Sequence, residues 1–126
     1  MDIKIIALIF SLSFPAIAKE NKITLENHNL ENFSLSTCLA KGFTDDTVKK
    51  DAISATGAYV ELGSYPAEAY EEANELAKKF LDKKYHSKEG KSELIVMKCI
   101  DLSRSKELMA IKNKYLSSAD QTASDK

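Results

Sequence analysis

The chain has 126 residues, with 18 Lys and Arg against 19 Asp and Glu, for a net charge of −1. A near-neutral surface of mixed charge excludes nucleic acid and anionic membrane as main partners, because both are captured through a concentrated positive field. The length suits one domain of modest core.

The N-terminus reads as an export signal. Lys4 is a weak positive start diluted by Asp2, and Ile5 to Phe14 is an apolar run. Pro15 breaks that run, and Ala16-Ile17-Ala18 fits a small-x-small cleavage site. This predicts a signal peptide over 1–18, cut after Ala18. The competing readings are a buried helix or a short membrane anchor. Against an anchor, the run is too short to span a bilayer, and no second apolar run follows. Loss of Asp2 and Lys4 leaves the charge balance unchanged.

Cys38 and Cys99 both fall in the exported part. In an oxidising compartment such a pair is expected to form one disulfide, with two buried free thiols as the alternative. The loop closed is about 60 residues, for which the chain-entropy model gives about 4 kcal/mol.

Lys19 to Asn29 is polar and lacks periodicity, so it reads as a lead-in with His28 in solvent. Helix 1 is expected to start at Asn29 as its cap and to carry Leu35, Cys38 and Leu39 inward. Gly42 is placed to end it in the left-handed region. Helix 2 is expected to start at Thr44, with Asp45 and Asp46 at the positive end of its dipole and a Phe43–Val48 staple. Val48, Ala52, Ala55, Tyr59 and Leu62 form its face, while Gly57 and Ala58 would admit a close neighbour. Gly63 ends it. Helix 3 begins at Pro66 and turns Ala69, Ala73, Leu76 and Phe80 inward, beside Tyr70, Ala77 and Leu81. Its acidic start and its Lys78, Lys79, Lys83 and Lys84 suit the macrodipole. Those lysines read as a solvated helix end before they read as an anion site.

From His86 to Glu93 there is no apolar residue, and then Leu94 to Leu102 is the most apolar run outside the N-terminus. Ser92 is expected to cap helix 4, on which Ile95, Cys99 and Leu102 share a face. Ser103 or Ser105 would cap helix 5, with Leu108, Ile111 and Tyr115 as its stripe. The domain is expected to span 19–116, with 117–126 as a disordered tail. No segment shows strand alternation. The predicted fold is all-α, a small bundle of about five short helices tied by Cys38–Cys99. A polar loop running straight into a cross-linked helix is a common way to mount a binding surface.

The sequence contains no Gly-rich phosphate loop, no His pair at metal spacing and no Ser or Cys nucleophile signature. No catalytic residue, metal or cofactor is therefore predicted. Asp101, inside the apolar run, is the most unusual acid. It reads first as a local cap or a partner of Arg104 or a lysine, and second as a partner-binding carboxylate. Two functions fit at this level, a protein inhibitor and a small exported enzyme, and the empty search favours the inhibitor.

Several short motifs, in order, resemble one family. Cys38-Leu39-Ala40-Lys41-Gly42, Asp51-Ala52 and Ala58 to Gly63 are similar to the first half of the fourth family of amidase immunity proteins of bacterial type VI secretion. Glu68 to Glu71, Lys79-Phe80-Leu81, Tyr85 to Lys88, Met97 to Leu102 and Ser105 to Leu108 resemble its second half. The likeness covers Phe33 to Leu116. It implies a periplasmic helical homodimer that binds a cognate amidase effector, a papain-like cysteine hydrolase cutting the peptide stem of peptidoglycan. It further implies inhibition by insertion of the loop between helices 3 and 4 into the active-site cleft. Here that loop is His86, Ser87, Lys88, Glu89, Gly90 and Lys91. Gly90 permits close entry, Ser87 offers polar groups to the groove, and Lys88, Glu89 and Lys91 can steer association by charge.

Overall fold

The structure, a computed structural model, describes the backbone of residues 16–123 and the side chains of residues 28–116. The apolar run of the expected signal peptide lies outside the described residues. Five helices follow one another: α1 (Ala16–Gly42), α2 (Asp46–Leu62), α3 (Ala67–Leu81), α4 (Ile95–Ser103) and α5 (Lys106–Ala123). Among the described residues there is no strand, and no helix is long and apolar enough to cross a membrane.

α1 is the hub. It packs against α2, α3 and α4, and α3 in turn packs against α4 and α5. The core forms where these faces meet, from Leu30, Phe33 and Cys38 of α1, the inner face of α3, and Cys99, Leu102 and Leu108. All six residues expected on the α3 face, from Ala69 to Phe80, are buried, and Leu81 packs against them. The Phe33 and Tyr70 rings meet edge-on, with centroids 4.8 Å apart, the geometry that ring quadrupoles favour. α5 is tied on by polar contacts as well as by Leu108. The Lys112 ammonium sits 2.6 Å from Glu31 on α1. Glu72 of α3 accepts hydrogen bonds from Lys114 and, at 2.6 Å, from the Tyr115 hydroxyl. Those bonds hold the Glu72 carboxyl below its ordinary pKa.

Several helix boundaries differ from those expected. α1 does not start at Asn29, because nothing between Pro15 and Gly42 breaks a helix and the chain keeps turning. Asn29 is therefore a buried mid-helix residue. Its amide donates to the Tyr59 carbonyl at 2.6 Å and its Oδ1 accepts from the Tyr70 hydroxyl at 3.0 Å. One side chain thus joins α1, α2 and α3. The cap of α2 is Asp45 rather than Thr44: its carboxylate accepts from the amides of Thr47 and Val48, each at 3.0 Å. The one-residue shift takes Phe43 and Val48 out of staple register, and Val48 is exposed. On α2 only Ala52 is fully buried, and Ile53, Val60 and Leu62 face outward. Of the two serines expected to cap α5, Ser105 does so: its hydroxyl accepts from the Leu108 amide at 3.1 Å, and the helix runs to Ala123.

Gly42 and Gly63, at the ends of α1 and α2, act by absence of a side chain. Gly57 has open space around it. Gly42 is not left-handed; Gly90 is the one described glycine with positive φ. A Cβ on Gly42 would lie 2.4 Å from Ile95 Cγ2 and 2.9 Å from Leu81 Cδ2, so Gly42 lets the end of α3 and the start of α4 close over the end of α1. Gly42→Ala is expected to lower stability by about 1–3 kcal/mol through overpacking at that seam, read as a lower urea midpoint at unchanged slope.

Candidate functional site

The loop between α3 and α4 begins at Asp82 and ends at Leu94. His86, Lys88, Glu89, Gly90 and Lys91 are exposed, and Ser87 is half-buried. The structure thus brings all six predicted residues together at one tip. Their order comes from three hydrogen bonds. The Gly90 amide donates to the Ser87 carbonyl at 3.0 Å, closing a turn over Lys88 and Glu89. Neither central residue has positive φ, and Gly90 takes φ 66°, so the strained left-handed position falls on the residue that tolerates it. The Ser87 hydroxyl accepts from the Ser92 amide at 3.2 Å, which draws the outgoing strand of the loop back to the incoming one. The Ser92 hydroxyl accepts from the Leu94 amide at 3.2 Å.

Ser92 therefore does not cap α4 directly. The cap position is Leu94, with φ 54° and ψ 43° and no side-chain cap bond. A left-handed leucine costs about 1–2 kcal/mol in an unconstrained chain, and here the packing on either side must hold it. Leu94 lets the chain turn sharply from the loop into the buried helix.

The base of the loop is built by three residues whose roles the sequence did not reveal. Lys98 is only 6% exposed, and its ammonium donates at 2.9 Å to the carbonyl of Leu81, the last residue of α3. Helix ends leave such carbonyls without intrahelical partners, and a cation there also complements the dipole. Tyr85 lies over this junction, with its ring centroid 5.9 Å from the Lys98 ammonium. Its hydroxyl donates to Asp101 Oδ2 at 2.5 Å. That bond, first, and burial, second, push the Tyr85 pKa up. Asp101 is exposed and is neither a cap nor a partner of Arg104: it holds the tyrosine that opens the loop. The signal available in the sequence was the placement of two ionisable residues, Lys98 and Asp101, inside an apolar run.

Between them stands Cys99. It is fully buried and bonded to Cys38, with the Cα atoms 5.5 Å apart at a sequence separation of 61. The disulfide fixes α4 to the hub helix directly below the loop. The lysines of α3 remain at its solvated end. Lys78 pairs with Glu75 at 2.6 Å, and Lys83 stacks over the Phe80 ring at 3.5 Å. Among the described residues, no cluster of His, Cys, Asp or Glu could hold a metal ion.

Fold and loop together define a small all-α protein that presents one exposed polar loop on a cross-linked frame. The chain belongs to the Tai4 family, the type VI secretion system amidase immunity proteins, whose family model matches residues 28–112. That is a family of immunity proteins and not of enzymes. A chain from the Tae4/Tai4 effector–immunity system of Salmonella typhimurium is 40% identical, covering 68% of this chain and 84% of that one, with a TM-score of 0.63. The Tae4–Tai4 complex of Enterobacter cloacae contains a chain of the same fold, at 24% identity and TM-score 0.63, covering 79% of this chain and 97% of its own. A complex of Salmonella typhimurium Tae4 with Enterobacter cloacae Tai4 also matches, at 24% identity and TM-score 0.62, over 79% of this chain and 98% of that one. No curated protein sequence matches this chain.

Proposed function

We propose that this protein binds a peptidoglycan amidase effector of the Tae4 kind and inhibits it by inserting His86 to Lys91 into the active-site cleft. The observation that carries the reading is the exposed tip braced by Ser87 and Gly90, seated on a disulfide-fixed helix. A papain-like cleft accepts an extended peptide, and a narrow preformed loop enters such a groove at a small ordering cost. Occlusion requires no reactive group from the inhibitor. The 40%-identical relative from a Tae4/Tai4 effector–immunity system, with the Tae4–Tai4 complex of the same fold, supports the choice of partner.

The effector acts on the cell wall in this reading, so the immunity protein works in the periplasm, after cleavage of 1–18 behind Ala18. The disulfide is consistent with that oxidising compartment. The protein acts as a homodimer, and the exposed Val60, Leu62 and Met109 are apolar surface that a second copy could cover.

Replacement of Ser87 to Gly90 by a Gly-Ser linker tests insertion. Inhibition of the cognate amidase is expected to weaken by about 100-fold or more, the scale of a lost interface hot spot, with the helical spectrum unchanged. Unchanged inhibition by the folded variant would sink the reading.

A further inference from the structure

We propose that Tyr85 and Asp101 form a latch that holds the partner-binding loop in a single shape, acting as positioning residues that need not touch the partner. The role in binding rests on the insertion reading above; the latch itself does not.

Three observations carry it. First, the Tyr85–Asp101 bond joins the residue just before the tip to the last turn of α4, spanning 16 residues of chain. It is a hydrogen bond to a carboxylate, the stronger kind. Second, both ends are seated. Asp101 lies two residues beyond Cys99, which the disulfide holds, and the Tyr85 ring rests near the Lys98 ammonium that caps α3. The carboxylate therefore stands at a fixed place when the loop forms. Third, the internal bonds of the tip, from Ser87 to Gly90 and Ser92, all lie beyond Tyr85. They shape the tip but do not attach it to the body. On the α3 side, the residue that attaches the tip is Tyr85. On the α4 side it is Leu94, whose left-handed backbone has no side-chain cap to hold it. Without the tyrosine bond, the tip loses its fixed angle to the body and its turn opens more often.

The test uses the full exported protein and three variants: Tyr85→Phe, Asp101→Asn and the double variant Tyr85→Phe/Asp101→Asn. Tyr85→Phe removes one oxygen and keeps the ring. Asp101→Asn keeps an oxygen acceptor and removes the charge. Two readouts are taken, hydrogen exchange at the Gly90, Ser92 and Leu94 amides and the dissociation constant for the amidase. In Tyr85→Phe, exchange at those three amides is expected to quicken by about tenfold, and binding to weaken by a similar factor. Asp101→Asn should fall between wild type and Tyr85→Phe. The double variant should be no worse than Tyr85→Phe alone, because the pair acts as one unit. Unaltered exchange in Tyr85→Phe overturns the latch, whatever happens to binding, and so does an additive double variant. Faster exchange with unchanged binding leaves the latch standing and overturns insertion of the loop.

Discussion

Replacing Cys38 and Cys99 together by alanine is expected to lower the stability of the protein by about 4 kcal/mol, the chain-entropy value for a loop of this length. The bond links cysteines at a sequence separation of 61, and the segment it closes holds α2, α3 and the whole binding loop. For a domain of about 100 residues that loss corresponds to a fall in Tm on the order of 20 °C. The effect should not be uniform. α4 has only nine residues, lacks a side-chain cap and has no acidic residue in its first turn. A helix that short is marginal unless packing holds it. The variant should therefore lose exchange protection in α4 at lower denaturant than in α3. Urea unfolding of oxidised protein and variant, followed by circular dichroism, measures the first quantity. A loss below about 1 kcal/mol would mean that the bond merely accompanies the packing of α1 on α4.

The second large effect is expected at Asn29. Asn29→Ala should cost about 3 kcal/mol, because two hydrogen bonds with buried or half-buried partners are lost and the groups left behind are shielded from water. Gly63 tightens the argument: a Cβ there would lie 2.3 Å from both Asn29 Oδ1 and the Tyr70 hydroxyl. The end of α2 thus sits directly on the pair, leaving little room for water to replace the lost amide. Burial also pushes the Tyr70 pKa up, in line with a hydroxyl kept from solvent. Tyr70→Phe removes one of the two bonds and should cost about 1 kcal/mol. In the double variant the two losses should overlap by about 1 kcal/mol, since they share a bond. Strict additivity in the cycle would show that the Asn29–Tyr70 contact contributes nothing of its own.

The legible parts of the fold were those governed by period and composition. The α3 face from Ala69 to Phe80 repeats at helical spacing, and it is buried as the repeat requires. The two cysteines had one intramolecular pairing open to them, and they make it. The polar stretch from His86 to Lys91 lies at one tip, exposed except for the half-buried Ser87, because it has no apolar side chain to bury. Contacts between residues distant in sequence were not legible. Asn29 looks like a helix cap because asparagine usually serves there, yet its partners are 30 and 41 residues away. Asp101 looks like a cap or a partner for a nearby cation, and its partner is a tyrosine across the loop. Gly42 and Gly63 carry the same signature as left-handed helix ends, but at both sites tertiary closeness demands the missing Cβ. Local propensity names the residue types that serve such positions. It does not say which neighbour will arrive.

The buried ammonium of Lys98 has a consequence for chemical labelling. The chain is rich in amines, and those of Lys78, Lys79, Lys84, Lys88 and Lys91 belong to exposed residues. Lys98 belongs to a buried one and is bonded to the end of α3. It is expected to acylate more slowly than its neighbours, and to gain rate when α4 lifts away from α3. Its slow acylation, measured beside the fast acylation of its neighbours, therefore reports how often the platform under the loop opens, within the unlabelled native protein and without any substitution.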